Sequence, residues 1–236
     1  MSSFEIVTMN QGYDHLKGKR MCIEGNIAAG KTTLADQLFK LYSQIEGLKI
    51  ERISEKIDHE LLEKFNDDPR IYAEEFQKSM MKNRLDGIKK ARELAEHGYF
   101  VLMDTGIIRE FAFADANEQV GNMSKEDYVE HILEFRRELS KINMPYPEYI
   151  VLLVSDGKTS MKNISQRNRS NETLLDEKYL DVLHNCHVNR FAAISKHMAV
   201  ENTLMINVAD NYAGPEDVKN YFLPIPDACP FCDDLV

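Results

Sequence analysis

Gly25-Asn26-Ile27-Ala28-Ala29-Gly30-Lys31-Thr32-Thr33 is the stretch whose residue types and spacing specify chemistry most directly. It fits the pattern G-x-x-x-x-G-K-[ST], with Gly25 and Gly30 at the two glycine positions and Lys31 and Thr32 behind them. A backbone that wraps a triphosphate turns its N–H groups inward, and glycine allows the dihedrals and close approach that this requires. Lys31 would supply a point charge to the β- and γ-phosphates, and the Thr32 hydroxyl would reach Mg²⁺. A chance match in a glycine-containing turn has the same letters, so the flanks decide. Lys19 to Glu24 reads as a short buried strand, and Leu34, Leu38 and Leu41 recur at helical spacing after the loop. That order of strand, loop and helix aims phosphates at a helix N-terminus.

Phosphoryl transfer to a hydroxyl also needs a carboxylate to take the proton, a metal ligand and cations for the transferring group. Glu55 is the candidate base, with Glu51 as its competitor. Asp104 ends an apolar run and is the candidate metal carboxylate beside Thr32. Arg167 and Arg169 are two apart, so a regular helix would splay them and only an irregular lid would aim both at phosphate. Gln77 and Arg84 are two helical turns apart and share a face. A side-chain amide can both donate to and accept from a base edge, Phe113 offers a stacking plane, and Glu110 suits pairing with Arg84. On residue types alone, an ordinary long helix with polar residues outward is the simpler reading. Phe76, Met80 and Met81 read as core packing.

The elements that must position these residues alternate. Strands are expected at 19–24, 48–53, 99–104, 148–154 and 204–208, and helices at 33–42, 57–66, 71–97, 124–142, 157–169 and 176–199. No helix is assigned between Asp104 and Ser124. Strands separated by helices imply an α/β fold, a parallel five-stranded sheet with helices on both faces. Ligands in such sheets sit beyond the carboxyl ends of the strands, so Gly25, Glu55, Asp104 and Asp156 are expected to share one crevice. Residues 1–225 read as a single domain and 226–236 as a C-terminal tail.

With 236 residues the chain can bury one substantial core, and its net charge of −10 argues against a nucleic acid strand as partner. No apolar run is long enough to span a bilayer, and Met1 to Glu5 lacks a basic-then-apolar leader, so an intracellular, soluble, cytoplasmic protein with no membrane partner is expected. The four cysteines do not form a disulfide framework, and Cys229-Pro230-Phe231-Cys232 reads as a reduced tail rather than half a zinc site. A homodimer is compatible with all of this.

Residues 19–208 resemble the deoxynucleoside kinases that act on deoxycytidine, deoxyguanosine and deoxyadenosine. The resemblance rests on an ordered set: Gly25 to Thr32; Glu55; Leu62-Glu63-Lys64-Phe65, Pro69, Tyr72, Phe76-Gln77 and Arg84; Phe113-Ala114; Gly121-Asn122-Met123-Ser124; Arg167-Asn168-Arg169-Ser170-Asn171-Glu172; and Tyr179-Leu180. It implies a P-loop kinase fold with a small arginine-bearing lid, and ATP-dependent phosphorylation of a nucleoside 5′-hydroxyl with Mg²⁺. Residues 25–33 would bind ATP, Glu55 would act as base, and Lys31, Arg167 and Arg169 would stabilise the transferring group. Gln77, Arg84, Glu110, Phe113 and Glu172 would contact the nucleoside, with Thr32 and Asp104 at the metal. Three positions depart from the family pattern. Thr105 stands where the family has an arginine that braces the acceptor, Asn163 replaces the first lid arginine, and Asn66 replaces an aromatic hydroxyl near the sugar. A kinase-like subunit without turnover and a nucleoside monophosphate kinase are therefore the alternatives.

Overall fold

The computed structural model describes residues 13–143, 146–167, 175–209 and 214–222. The elements run Arg20–Gly25 (β1), Lys31–Tyr42 (α1), Ile50–Ile53 (β2), His59–Asp67 (α2), Pro69–Glu96 (α3), Phe100–Met103 (β3) and Ile107–Gln119 (α4). They continue with Lys125–Ser140 (α5), Tyr149–Val154 (β4), Gly157–Arg167 (α6), Glu177–Ser195 (α7), Thr203–Asn207 (β5) and Pro215–Tyr221 (α8). The five strands are parallel, in the order β2-β3-β1-β4-β5. Each crossover is long enough to hold at least one helix, as parallel pairing requires.

Burial follows the sheet order. β1 and β3 are buried along their whole length, whereas the edge strands β2 and β5 are partly exposed. Successive side chains of β1 point to opposite faces. Met21 and Ile23 pack with Leu34, Leu38 and Tyr42 of α1 and Val218 of α8. Cys22 packs on the other side with Met81, Leu85 and Ile88 of α3, Ile107 and Phe111 of α4, and Phe135 of α5. Fully burying an aliphatic or aromatic side chain contributes roughly 1.5–3 kcal/mol, so these two layers hold the sheet. The even alternation also puts Glu24 on the α4 face, where Ile108 N donates to its Oε1 at 3.1 Å.

Helix ends follow their capping chemistry. Asp58, Ser124 and Asp176 cap α2, α5 and α7 by accepting from Leu61 N, Asp127 N and Tyr179 N, and Pro69 opens α3. α4 is the element the periodicity missed. Gly106 precedes it without a side-chain cap, and eight of its residues are buried, among them Ile107, Glu110, Ala112 and Asn117. A helix covered on most sides has no polar face, so it lacks the 3.6-residue alternation that marks a helix in sequence.

Candidate active site

The glycine-bounded loop joins β1 to α1 as expected. Gly25 has φ +140°, and a Cβ placed there would lie 2.4 Å from the Leu153 carbonyl oxygen, so β4 leaves no room for a side chain. Gly30 caps α1 in the left-handed region at φ +91°, and Ala28 is a non-glycine residue with positive φ, 58°. Asn26 fastens the loop to the rest of the molecule. Its Nδ2 donates to Ser155 O at 3.0 Å and Leu180 O at 2.9 Å, and its Oδ1 accepts from Ile27 N. Asn163, where the resemblance expects a lid arginine, donates to Ala28 O at 3.0 Å. Lys31 folds back over the loop, donating to Gly25 O at 3.0 Å and Asn26 O at 2.6 Å. Burial, then the charge of Arg109, pulls its ammonium well below the ordinary range against Glu55 and Glu24.

Beyond the ends of β1, β2 and β3 a cavity of about 300 Å³ opens. Among its lining residues are Lys31, Thr32, Glu55, Asp104, Arg109 and Arg167. A guanidinium–carboxylate chain runs down one wall. Arg84 Nη2 donates to Glu55 Oε1 at 2.9 Å, Arg84 Nη1 meets Glu110 Oε2, and His131 Nε2 lies 2.7 Å from Glu110 Oε1. Arg109 Nε approaches the same Glu55 oxygen at 3.3 Å. Burial pushes the Glu55 carboxyl up, but the cations Arg109, Arg84 and Lys31 outweigh it and hold the group below its ordinary value. Glu24 goes the other way, because its burial exceeds the pull of Arg84, Arg109 and Lys31. Burial, reinforced by Arg84, drops the His131 imidazole to about 4.

Asp104 is not an open carboxylate. Arg52 Nε donates to its Oδ1 at 2.8 Å and Arg52 Nη2 to its Oδ2 at 2.6 Å, while the third guanidinium nitrogen pairs with Asp36. Thr32 and Asp104 offer the hard oxygen ligands that suit Mg²⁺, an ion that keeps much of its own water. A metal ion at Asp104 would have to compete with Arg52. Arg52 carries no motif signal; its mark in the sequence is a charge inside a strand, three residues before Glu55.

The remaining candidates divide. Gln77 and Arg84 line the cavity together with Phe113, Phe76 and Met80; Phe76 and Met80 are buried in a small core cluster with Leu61, Phe65 and Ala73, as expected, and also border the cavity. Met81 stays in the core. Gln77 Nε2 and the Tyr179 hydroxyl are buried without a hydrogen-bond partner among the described residues, an arrangement that a polar ligand would complete. Glu110 does not line the cavity; it is fully buried behind Arg84. Asp156 is exposed and caps α6 by accepting from Thr159 N at 2.7 Å, so it is not part of the crevice. Glu51 is exposed on β2, and Thr33 is exposed on α1. Arg109 was missed because it belongs to the helix that the periodicity missed. Arg169, Glu172, Cys229 and Cys232 lie outside the described residues.

A parallel sheet of this order, with a glycine-bounded loop running into a helix N-terminus, defines a P-loop kinase-like α/β protein. Residues 21–222 match the family model described as deoxynucleoside kinase, and the chain belongs to that family. It is 29% identical over 170 residues to a deoxyguanosine kinase of Dictyostelium discoideum, a match spanning 72% of this chain and 57% of that protein. It is 29% identical over 185 residues to a deoxyadenosine kinase of the same organism, spanning 78% of this chain and 71% of that one. The solved structure of deoxyadenosine kinase from M. mycoides with bound dATP shares the fold, with a TM-score of 0.68 at 19% identity over 86% of this chain and 97% of that chain.

Proposed function

We propose that this chain transfers the γ-phosphoryl group of ATP to the 5′-hydroxyl of a deoxynucleoside. The observation that carries the reading is that one cavity is lined both by the phosphate-loop residues Lys31 and Thr32 and by a carboxylate held ionised, Glu55. The kinases named among its relatives act on deoxyguanosine and deoxyadenosine, which gives the acceptor class.

In this reading the loop amides and Lys31 hold the triphosphate. Glu55 accepts the proton of the 5′-hydroxyl as that oxygen bonds to the γ-phosphorus. The bond from phosphorus to the bridging oxygen breaks, and its electron pair stays on the departing diphosphate. Magnesium, when bound beside Thr32 and Asp104, would offset charge on the phosphate oxygens. Gln77, Arg84 and Phe113 orient the base, and Arg167 faces the transferring group. Arg169 and Glu172 keep the lid roles that the resemblance gives them, and Glu110 acts on the base through Arg84. A kinase-like subunit without turnover is the second reading, favoured by the guanidinium that covers both oxygens of Asp104.

Incubation with labelled ATP, magnesium and a panel of deoxynucleosides and nucleoside monophosphates tests this. Label is expected on a deoxynucleoside, with Lys31→Ala lowering the rate by roughly 10²–10³. Transfer only to monophosphates, or ATP binding without transfer, overturns it.

A further inference from the structure

Arg109 belongs to no motif in the sequence, yet it sits where the charges of the cavity meet. Its Nε is 3.3 Å from Oε1 of Glu55, and its guanidinium carbon lies 4.6 Å from the ring centre of Phe113, one helical turn further along α4. The Phe113 ring lies beneath the guanidinium, and the Glu55 carboxylate lies at its Nε edge. The two terminal nitrogens have no hydrogen-bond partner among the described residues, and Arg109 lines the cavity.

The other guanidinium on Glu55 is in a different situation. Arg84 uses Nη1 on Glu110, Nη2 on Glu55 and Nε toward Thr105 Oγ1 at 3.4 Å, so all three nitrogens are engaged inside the protein. Its side chain is only 3% exposed, against 12% for Arg109. Thr105, where the resemblance expects an acceptor-bracing arginine, is itself buried against Arg84. The cation with donors left over for a ligand is therefore four residues downstream, on the first turn of α4.

We propose that Arg109 is the acceptor-positioning cation of this chain: it fixes the Glu55 carboxylate and donates from its terminal nitrogens to the oxygen that receives the phosphoryl group. The proposal rests on the kinase reading above. Among the charges that act on Glu55 against its burial, Arg109 is the largest single one. Its removal lets the carboxyl take up a proton at higher pH, so the acid limb of kcat moves upward.

The test compares wild type, Arg109→Gln and Arg109→Lys for kcat, nucleoside KM and the pH profile of kcat, with melting temperatures alongside. Arg109→Gln is expected to lower kcat by about tenfold to a hundredfold and to shift the acid limb to higher pH. Arg109→Lys, which keeps the charge, should restore the limb position and part of kcat. An active wild type whose acid limb stays put in Arg109→Gln overturns this proposal alone. So does an Arg109→Lys enzyme as impaired as Arg109→Gln, since the positive charge would then not be what matters. A wild type inactive toward every nucleoside overturns the kinase reading, and the proposal falls with it. Should Arg109→Gln melt below the assay temperature, the Arg109→Lys profile decides: a limb at the wild-type position supports the proposal, and a displaced limb overturns it.

Discussion

Arg52 holds Asp104 by both carboxylate oxygens, at 2.8 and 2.6 Å, and carries Asp36 on its third guanidinium nitrogen. A bidentate guanidinium fits a carboxylate closely, and such charge-assisted pairs are among the stronger polar contacts in proteins. This fork occupies the carboxylate that a metal would use. Arg52→Ala should lower the magnesium concentration giving half-maximal turnover by about threefold to tenfold, because the ion no longer displaces a resident cation. Losing the pair should also destabilise the fold by about 1–3 kcal/mol. A magnesium titration of both proteins checks the first effect, and an unchanged midpoint would place the metal away from Asp104.

Glu55 and Glu51 can be told apart by one pair of variants. Glu55→Gln removes the carboxylate from the cavity and should lower kcat by roughly 10²–10⁴ with a smaller change in KM. Glu51 is exposed on β2, so Glu51→Gln should leave kcat within about twofold, as expected for a surface change. Steady-state rates on the same deoxynucleoside decide, and the reverse pattern would move the base to β2.

Gln77 is 1% exposed and its Nε2 has no hydrogen-bond partner among the described residues. Gln77→Leu should weaken deoxynucleoside binding by about tenfold or more while ATP affinity changes little, since a site built to hydrogen-bond a ligand loses that bond with the substitution. Calorimetric titrations with each ligand test this. A parallel fall in both affinities would point to damaged folding.

His131 gives a pH signature. Its imidazole takes a proton near pH 4 in the folded chain and at an ordinary 6.5 in the unfolded one. Between those values the unfolded state binds the extra proton, so stability falls as pH drops from about 6.5 to about 4. His131→Gln keeps a donor for Glu110 but cannot titrate there, so the melting temperature should depend less steeply on pH across that window. Parallel curves for the two proteins would exclude His131 as the source.

What the sequence shows well is what local patterns encode. The strand, loop and helix around Lys31 are legible because a motif and two flanking periodicities agree. The parallel sheet follows because five apolar runs alternate with helical stretches. α4 was not legible, because burial on most sides leaves it without an amphipathic rhythm and Gly106 gives it no capping side chain. Arg109 was hidden with it. Arg52 was hidden for another reason: its partner Asp104 lies 52 residues away, just past the end of the neighbouring strand β3, and only β2–β3 pairing brings the two together. Asp156 shows the ambiguity of a carboxylate after a strand end, which serves equally well as a helix cap. Glu110 has the expected partner, Arg84, but lies one layer deeper than a residue that touches a ligand, because side-chain spacing does not encode depth.

The tethering of Asn26 has a consequence for how the molecule is made. Its side chain is anchored on the carbonyls of Ser155 and Leu180, 129 and 154 positions further along the chain. β1 itself pairs with β3 and β4, so the contacts that tie the loop to the rest of the molecule span long sequence distances and require the intervening chain to be closed. A nascent chain leaving the ribosome therefore carries the complete glycine motif long before it can present a formed loop. If the loop binds ATP as proposed, the nucleotide would select molecules in which these distant segments have already docked, favouring finished chains over fragments.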